Sequence, residues 1–227
     1  MRLILTRPAE DNESLSRKLE NLGHQVAASP LLEIVANVNI KIPLKPWAAI
    51  LITSANGIRN LPSGLVRPDT RLIAVGAQSA QAARACGFQN VESQGGDVER
   101  LGAWITQNLS PASGPLLYLT GKEISGDLAG LLSQQRFEID RIETYQAQPR
   151  PLILTRDEIA DCDGVLLYSP RSAKLWLNEI EARGFTDVAA LLQHYCLSPA
   201  VSKILPQNWR LSVASEPTES ALLQLLE

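Results

Sequence analysis

The segment Ile50-Leu51-Ile52-Thr53-Ser54-Ala55-Asn56-Gly57 constrains this chain more than any other, because its pattern returns later. An apolar run from Ala48 to Ile52 breaks into hydroxyl and amide residues, and a short amphipathic pattern (Ile58, Leu61) follows. The echo is Gly164-Val165-Leu166-Leu167-Tyr168-Ser169-Pro170-Arg171-Ser172, and setting Ala49 on Gly164 brings Ser54 onto Ser169. Each copy reads as a buried strand that delivers a polar turn to the start of a helix. Two such units imply duplicated α/β halves facing a shared ligand.

The rest of the chain repeats this grammar. Leu3-Ile4-Leu5 is a first buried strand, with Thr6-Arg7-Pro8 as the turn after it. Pro8 suits a helix first turn, and Glu10, Asp11 and Glu13 favour its positive end. Leu15, Leu19 and Leu22 keep helical spacing up to a stop at Gly23. Val26 to Ser29 is a second strand, and residues 30–36 are extended. After a polar, proline-bearing passage and the strand ending at Ile52, Leu72 to Val75 forms a further strand. Gly76-Ala77-Gln78-Ser79 turns from it into a helix that ends at Gly87. Gln94-Gly95-Gly96-Asp97 then caps a helix whose apolar positions are Val98, Leu101 and Ile105.

A second pass starts at Leu116-Leu117-Tyr118-Leu119-Thr120-Gly121-Lys122, where Thr120 falls on Thr6. Its helix (Leu128, Leu131, Leu132) and its strand (137–145) repeat the first unit. Beyond the Gly164 echo, His194 to Ala200 parallels 73–78 with Ser198 on Gly76, and Glu216-Pro217-Thr218-Glu219 opens a last helix bearing Leu222, Leu223 and Leu226. The order is A, B, A′, B′. Strands alternating with helices at these lengths indicate parallel sheets built from βαβ units. Two placements satisfy the order: A with B and A′ with B′, or A completed by B′ around a contiguous B–A′ domain. Pairing of the extended segments 31–36 and 141–147 as a crossover favours the second.

Composition narrows the class. With 227 residues, 45% hydrophobic and 20% charged, the chain has enough apolar material for one large or two small cores. A net charge of −3 argues against a nucleic-acid surface, so an anionic ligand has to be met by locally placed donors. Cys86, Cys162 and Cys196 are scattered and, with only His24 and His194 beside them, form no metal constellation at recognised spacings. They read as buried, reduced thiols of a cytosolic protein. The apolar run at the start is too short for a signal peptide, and no run approaches a membrane span. A cytoplasmic protein without membrane or nucleic-acid partners is expected.

At this point the motifs name a family. Leu5-Thr6-Arg7-Pro8, Ile52-Thr53-Ser54-Ala55-Asn56-Gly57, Ala74-Val75-Gly76 with Ser79-Ala80, Glu143-Thr144-Tyr145-Gln146, Tyr168-Ser169-Pro170 and Leu197-Ser198-Pro199 stand in an order and at spacings that resemble uroporphyrinogen-III synthases over nearly the whole chain. The resemblance implies an α/β fold of two similar domains with parallel sheets flanked by helices. A two-stranded antiparallel linker joins them, and the N-terminal segment completes the C-terminal domain. The boundaries expected are 1–35 with 149–227 for one domain, 39–144 for the other, and 36–38 and 145–148 for the linker. Two departures stand out. Many members carry glycine-proline-threonine-threonine where this chain has Ser198-Pro199-Ala200-Val201, and a threonine where it has Tyr168.

The resemblance further implies the substrate hydroxymethylbilane, a linear tetrapyrrole with eight carboxylates and a terminal hydroxymethyl group, delivered by the preceding pathway enzyme. No metal or organic cofactor is implied, and a monomer is expected. Ligands of open α/β sheets sit beyond the carboxyl ends of the strands, where helix N–H groups favour carboxylates. The substrate-binding candidates are therefore Thr6 and Arg7, Thr53, Ser54 and Asn56, Gly76, Gln78 and Ser79, Gly121 and Lys122, Ser169, Arg171 and Ser172, and Ser198. Each hydroxyl has a second reading as a plain helix cap, and Lys122 and Arg171 have one as solvated surface charges, whereas Arg7, directly after the first strand, reads toward the ligand. The resemblance implies Tyr145 as the candidate general acid for departure of the hydroxyl, and an ordinary phenol, protonated at neutral pH, suits that role. Tyr168 is the second candidate. A two-domain protein that binds a small molecule without chemistry, or a doubly wound flavin binder, would share much of this architecture.

Overall fold

The structure, a computed structural model, describes residues 1–124 and 126–227. In its first third the chain runs β1 (Arg2–Leu5), α1 (Ala9–Asn21), β2 (Gln25–Ala28), β3 (Leu32–Ala36), β4 (Ala49–Ile52), α2 (Ala55–Arg59), β5 (Leu72–Ala74) and α3 (Ala77–Ala85). The middle holds β6 (Val91–Ser93), α4 (Val98–Asn108), β7 (Leu116–Gly121), α5 (Leu128–Gln134) and β8 (Ile139–Pro149). The remainder is α6 (Arg156–Ala160), β9 (Gly164–Leu167), α7 (Pro170–Arg183), α8 (Thr186–Ala189), β10 (Gln193–Cys196), α9 (Pro199–Ser202), β11 (Arg210–Val213) and α10 (Glu219–Leu223).

Two compact units result: residues 1–33 with 148–227, and residues 34–147. The first holds a sheet in the order β11-β10-β9-β1-β2, with every pair parallel. Strand β1 pairs with β9, so the start of the chain is built into the sheet of its C-terminal part. Its apolar side chains alternate: Ile4, Val165 and Leu167 join one core with Trp176 and Ile180 of α7, while Leu3, Leu5 and Leu166 join another with Leu15 and Leu19 of α1. A strand with both faces covered has to be apolar at every position, which is how β1 and β9 read.

The second unit has the sheet β3-β8-β7-β4-β5-β6. Strands β4, β5, β6, β7 and β8 pair in parallel. Ile50, Ile52, Leu117 and Leu119 pack with Ile58 of α2 and Ala80 and Ala83 of α3, whereas Ala49, Leu51, Leu116 and Tyr118 meet Leu101 and Ile105 of α4 and Leu132 of α5. The edge pair β3–β8 is antiparallel: Asn37 N–H donates to Thr144 O at 2.9 Å and Arg150 N–H to Leu31 O at 2.9 Å, steps that run in opposite directions along the two strands.

Three details differ from the sequence reading. Pro8 is the N-cap of α1 rather than a residue of its first turn. Leu22 and Leu131, assigned to buried helix faces, are exposed, because α1 ends at Asn21 and α5 is two turns long. Strands β6 and β11 and helices α6 and α8 carried no motif and went unread; β6 and β11 are edge strands, and β6 is only three residues long.

Candidate functional site

In the second unit the expected turn residues lie at the carboxyl ends of β4, β5 and β7, with Tyr145 in the middle of β8 beside the end of β7, and many of them are occupied with local structure. Ser54 caps α2 by accepting from Asn56 N–H at 3.2 Å, and the buried Asn56 accepts from Arg59 at 3.4 Å. Thr53 Oγ1 lies 3.0 Å from the Tyr118 hydroxyl. Helix α2 sits so close to β7 that a Cβ on Gly57 would stand 2.8 Å from Leu119 O. Only glycine permits that approach, and Gly57 O is in turn held by Thr144 Oγ1 at 2.8 Å. The start of α3 is different. Its N-cap, Gly76, offers no side chain to cap the helix and has open space where a Cβ would be. Gln78 beside it is exposed, and Ser79 is buried.

Tyr145 sits where β8 departs from regular pairing with β7. The register runs Thr120 to Glu143 and then Gly121 to Tyr145, so Thr144 is an extra residue. The half-buried Tyr145 ring lies over Gly121, and a Cβ there would be 2.7 Å from ring atom Cζ and 3.0 Å from the hydroxyl oxygen. Lys122 N–H donates to Tyr145 O at 2.9 Å. Lys122, Glu143, Tyr145 and Gln146 line one side of a pocket of about 240 Å³ whose other side is residues 35–38. This pocket offers an exposed ammonium and a phenol in one place.

In the first unit the candidates are more tightly tied. Thr6 is fully buried and donates through Oγ1 to Leu166 O at 3.0 Å, which makes it a sheet fastener. Arg7 bonds Asp11 at 3.0 Å and Glu219 at 3.1 Å, and its guanidinium lies 4.5 Å above the Tyr168 ring. Lys18 takes the other oxygen of Glu219 at 2.5 Å. The Tyr168 hydroxyl is shut off from solvent and makes no well-aligned hydrogen bond among the described residues, the Arg7 guanidinium over its ring being the polar group that bears on it. Burial, and secondarily the Glu219 carboxylate, hold this phenol well above the ordinary tyrosine range, with Arg7 opposing. It stays protonated but faces protein. Ser169 and Ser172 form a reciprocal capping box on α7: Ser172 N–H donates to Ser169 Oγ at 3.0 Å, and Ser169 N–H to Ser172 Oγ at 3.1 Å. Arg171 stands half-exposed between them. Ser198 is the N-cap of α9 without a side-chain cap bond, the counterpart of Gly76 on α3.

His194 is a core residue. Trp176 Nε1–H donates to its Nε2 at 3.3 Å, Leu192 O lies 3.2 Å from Nδ1, and the Trp209 ring lies 4.8 Å away. These partners fit a neutral ring with its proton on Nδ1, and burial pushes its pKa down to about 4. Burial raises the Cys162 thiol and lifts Cys196 to about 11. Cys86 corrects the expectation of three buried thiols: it caps the C-terminus of α3 on the surface. Among the described residues no group of three or more His, Cys, Asp or Glu is placed to hold a metal ion, and no helix is long and apolar enough to cross a membrane.

The sequence reading passed over three groups that the structure ties to these sites. Glu219, read only as part of a helix opening, is the partner of Arg7 across 212 positions of sequence, and Asp11, read for its dipole, is the other. Arg141 bonds Gly121 O, Lys122 O and Glu143 through one nitrogen. Glu219 and Asp11 had a signal in being carboxylates beside helix starts, whereas Arg141 had none.

A family profile described as "Uroporphyrinogen-III synthase HemD" matches residues 13–224. Among solved structures, the uroporphyrinogen-III synthetase of Helicobacter pylori is similar at a TM-score of 0.66 and 18% identity, covering 100% of this chain and 98% of that one. A mutant uroporphyrinogen III synthase of Thermus thermophilus is similar at 0.51 and 13% identity, covering 100% and 97%. Both likenesses speak to the fold. No curated protein sequence matches.

Proposed function

The chain belongs to the uroporphyrinogen-III synthase family, and on that premise we propose that it converts hydroxymethylbilane into uroporphyrinogen III with inversion of ring D. The match over residues 13–224 carries this reading. The net reaction is a cyclising loss of water. The terminal hydroxyl leaves with a proton, and the resulting azafulvene is attacked by the already substituted carbon of ring D. The spiro intermediate reopens and closes with ring D reversed, and the proton on the ring carbon is lost to restore the pyrrole. In water the same electrophile closes to the uninverted isomer, so the protein's task is chiefly to hold the substrate in the conformation that favours the harder closure.

The residues suit binding more than aggressive chemistry. Lys122 is an exposed cation next to Tyr145. The first turn of α3, uncapped at Gly76, offers its N–H groups to a carboxylate. Tyr145, on the wall of the pocket, is the phenol placed to donate a proton to the departing hydroxyl. Tyr168 is the weaker candidate because its hydroxyl is sealed in protein. Thr6, Thr53, Ser54, Ser169 and Ser172 shape the turns by bonds within the chain, and contribute backbone positions first. Arg7 meets a substrate carboxylate only by sharing itself with, or leaving, Glu219 or Asp11.

We place the protein in the cytoplasm as a monomer acting without a cofactor. The test is isomer analysis by chromatography of the tetrapyrrole formed from fresh hydroxymethylbilane with no added metal, nucleotide or flavin. Predominant III isomer is expected, and formation of the I isomer at the rate of a protein-free control refutes the reading. That result would favour a binding protein without chemistry.

A further inference from the structure

β-Bulges are rare in parallel pairs, and they recur next to functional sites where a side chain has to be re-aimed. The β7–β8 pair carries one at Thr144, immediately before Tyr145. Every group around the irregularity is pinned. Thr144 is fully buried, with Oγ1 donating to Gly57 O at 2.8 Å, and its own carbonyl accepts from Asn37 N–H at 2.9 Å. Lys122 N–H closes the far side on Tyr145 O. Gly121 provides the flat surface on which the Tyr145 ring rests.

The carbonyls of Gly121 and Lys122 converge on one side chain. Arg141 donates to Gly121 O at 3.2 Å, to Lys122 O at 2.9 Å and to Glu143 Oε1 at 3.2 Å. It therefore ties the end of β7 to the residue of β8 that precedes the bulge. Its side chain is about a third exposed, and its two carbonyl partners belong to the turn beneath Tyr145. Bonds from a charged donor to backbone carbonyls are stronger than neutral ones and fix a turn that lacks regular ladder bonds.

We propose that Arg141 is a positioning residue: by clamping the Gly121–Lys122 turn against Glu143 it holds the bulge that places the Tyr145 phenol. The inference rests on the reading of Tyr145 as the proton donor. Arg141 itself touches no reacting atom in this scheme. Loss of the clamp lets the turn and the ring drift, and misplacement by about 1 Å is enough to cost about 100-fold in rate.

Two measurements on Arg141→Ala test it. The first is NMR of Gly121, whose α-protons lie against the Tyr145 ring and carry its ring-current shift; the shift should collapse toward the ordinary glycine position in the variant. The second is a kinetic cycle with Tyr145→Phe. Arg141→Ala should lower kcat by about 10- to 100-fold with KM nearly unchanged, and the loss should largely vanish when Tyr145 is already Phe. An unchanged Gly121 shift overturns the inference, as does a kcat loss of the same size in both backgrounds. If Tyr145→Phe alone turns over normally, the proton-donor reading fails, and the Gly121 shift by itself then decides whether Arg141 sets the ring. Should Arg141→Ala fail to fold, Arg141→Gln carries the same readouts, and the same results support or overturn the inference.

Discussion

Lowering the pH should destabilise the first unit through one residue, His194. The ring is fully buried, accepts from Trp176 and lies against Leu192 O, and its pKa is pushed down from 6.5 to about 4 by burial. As pH falls, the unfolded chain takes up a proton on this histidine before the folded one does, so protonation favours unfolding. The effect is absent well above pH 6.5, grows below it, and is complete only below pH 4. Linkage with these two values gives a loss of about 2 kcal/mol between pH 7 and pH 5, and about 3 kcal/mol by pH 4. Carboxylates titrate over the same range, so the measurement has to be a difference. In His194→Gln the amide can accept from Trp176 and donate to Leu192 O without titrating. Urea unfolding of both proteins at pH 7, 6 and 5 is followed by 19F NMR of fluorotryptophan, in which Trp176 and Trp209 report on the first unit and Trp47 and Trp104 on the second. The wild type should lose about 2 kcal/mol more than the variant between pH 7 and 5 in the first unit. Equal pH dependence of the two proteins refutes the argument.

Two further outcomes follow from single contacts. Tyr168→Phe removes a buried hydroxyl that makes no well-aligned hydrogen bond among the described residues, so stability should hold or rise by up to about 2 kcal/mol, with turnover kept; a loss above about 1 kcal/mol in chemical denaturation would show a partner for that hydroxyl. Gly57→Ala puts a Cβ against Leu119 O and disturbs the Thr144 bond, so it should cost about 2–3 kcal/mol and slow turnover, as read by urea midpoints and isomer yield. An unchanged midpoint would mean that α2 can shift away from β7 without cost.

Many of the candidate residues lie within two or three residues of a strand end, and that is why they could be singled out from sequence. A parallel sheet covered on both faces has to be written as short apolar runs, and each run must stop at a turn, so Ile52-Thr53-Ser54 and Leu167-Tyr168-Ser169 announce both the strand and the turn that follows it. The repeat added the equivalences: Ser54 and Ser169 both cap helices with their side chains, and Gly76 and Ser198 both begin helices without a side-chain cap. Strands β6 and β11 escaped because neither carries a continuous apolar run, whereas the edge strands β2 and β3 carry one in Val26-Ala27-Ala28 and Ile34-Val35-Ala36 and were legible.

What the sequence determined by itself is the class of the elements that flank the turns, their alternation, and the chemical identity of the turns, because these depend on the residues within one strand–turn–helix unit. Tertiary structure alone decided which turn residues remain available. Whether Arg7 is a free cation depends on Glu219 at the other end of the chain, and whether Tyr168 offers its hydroxyl depends on what packs over it. The aim of Tyr145 depends on a one-residue slip between two strands, a glycine beneath the ring, and the reach of Arg141. Hydrogen bonds and close contacts act over a few ångströms, and the sequence carries no record of which distant residues the fold brings within that range.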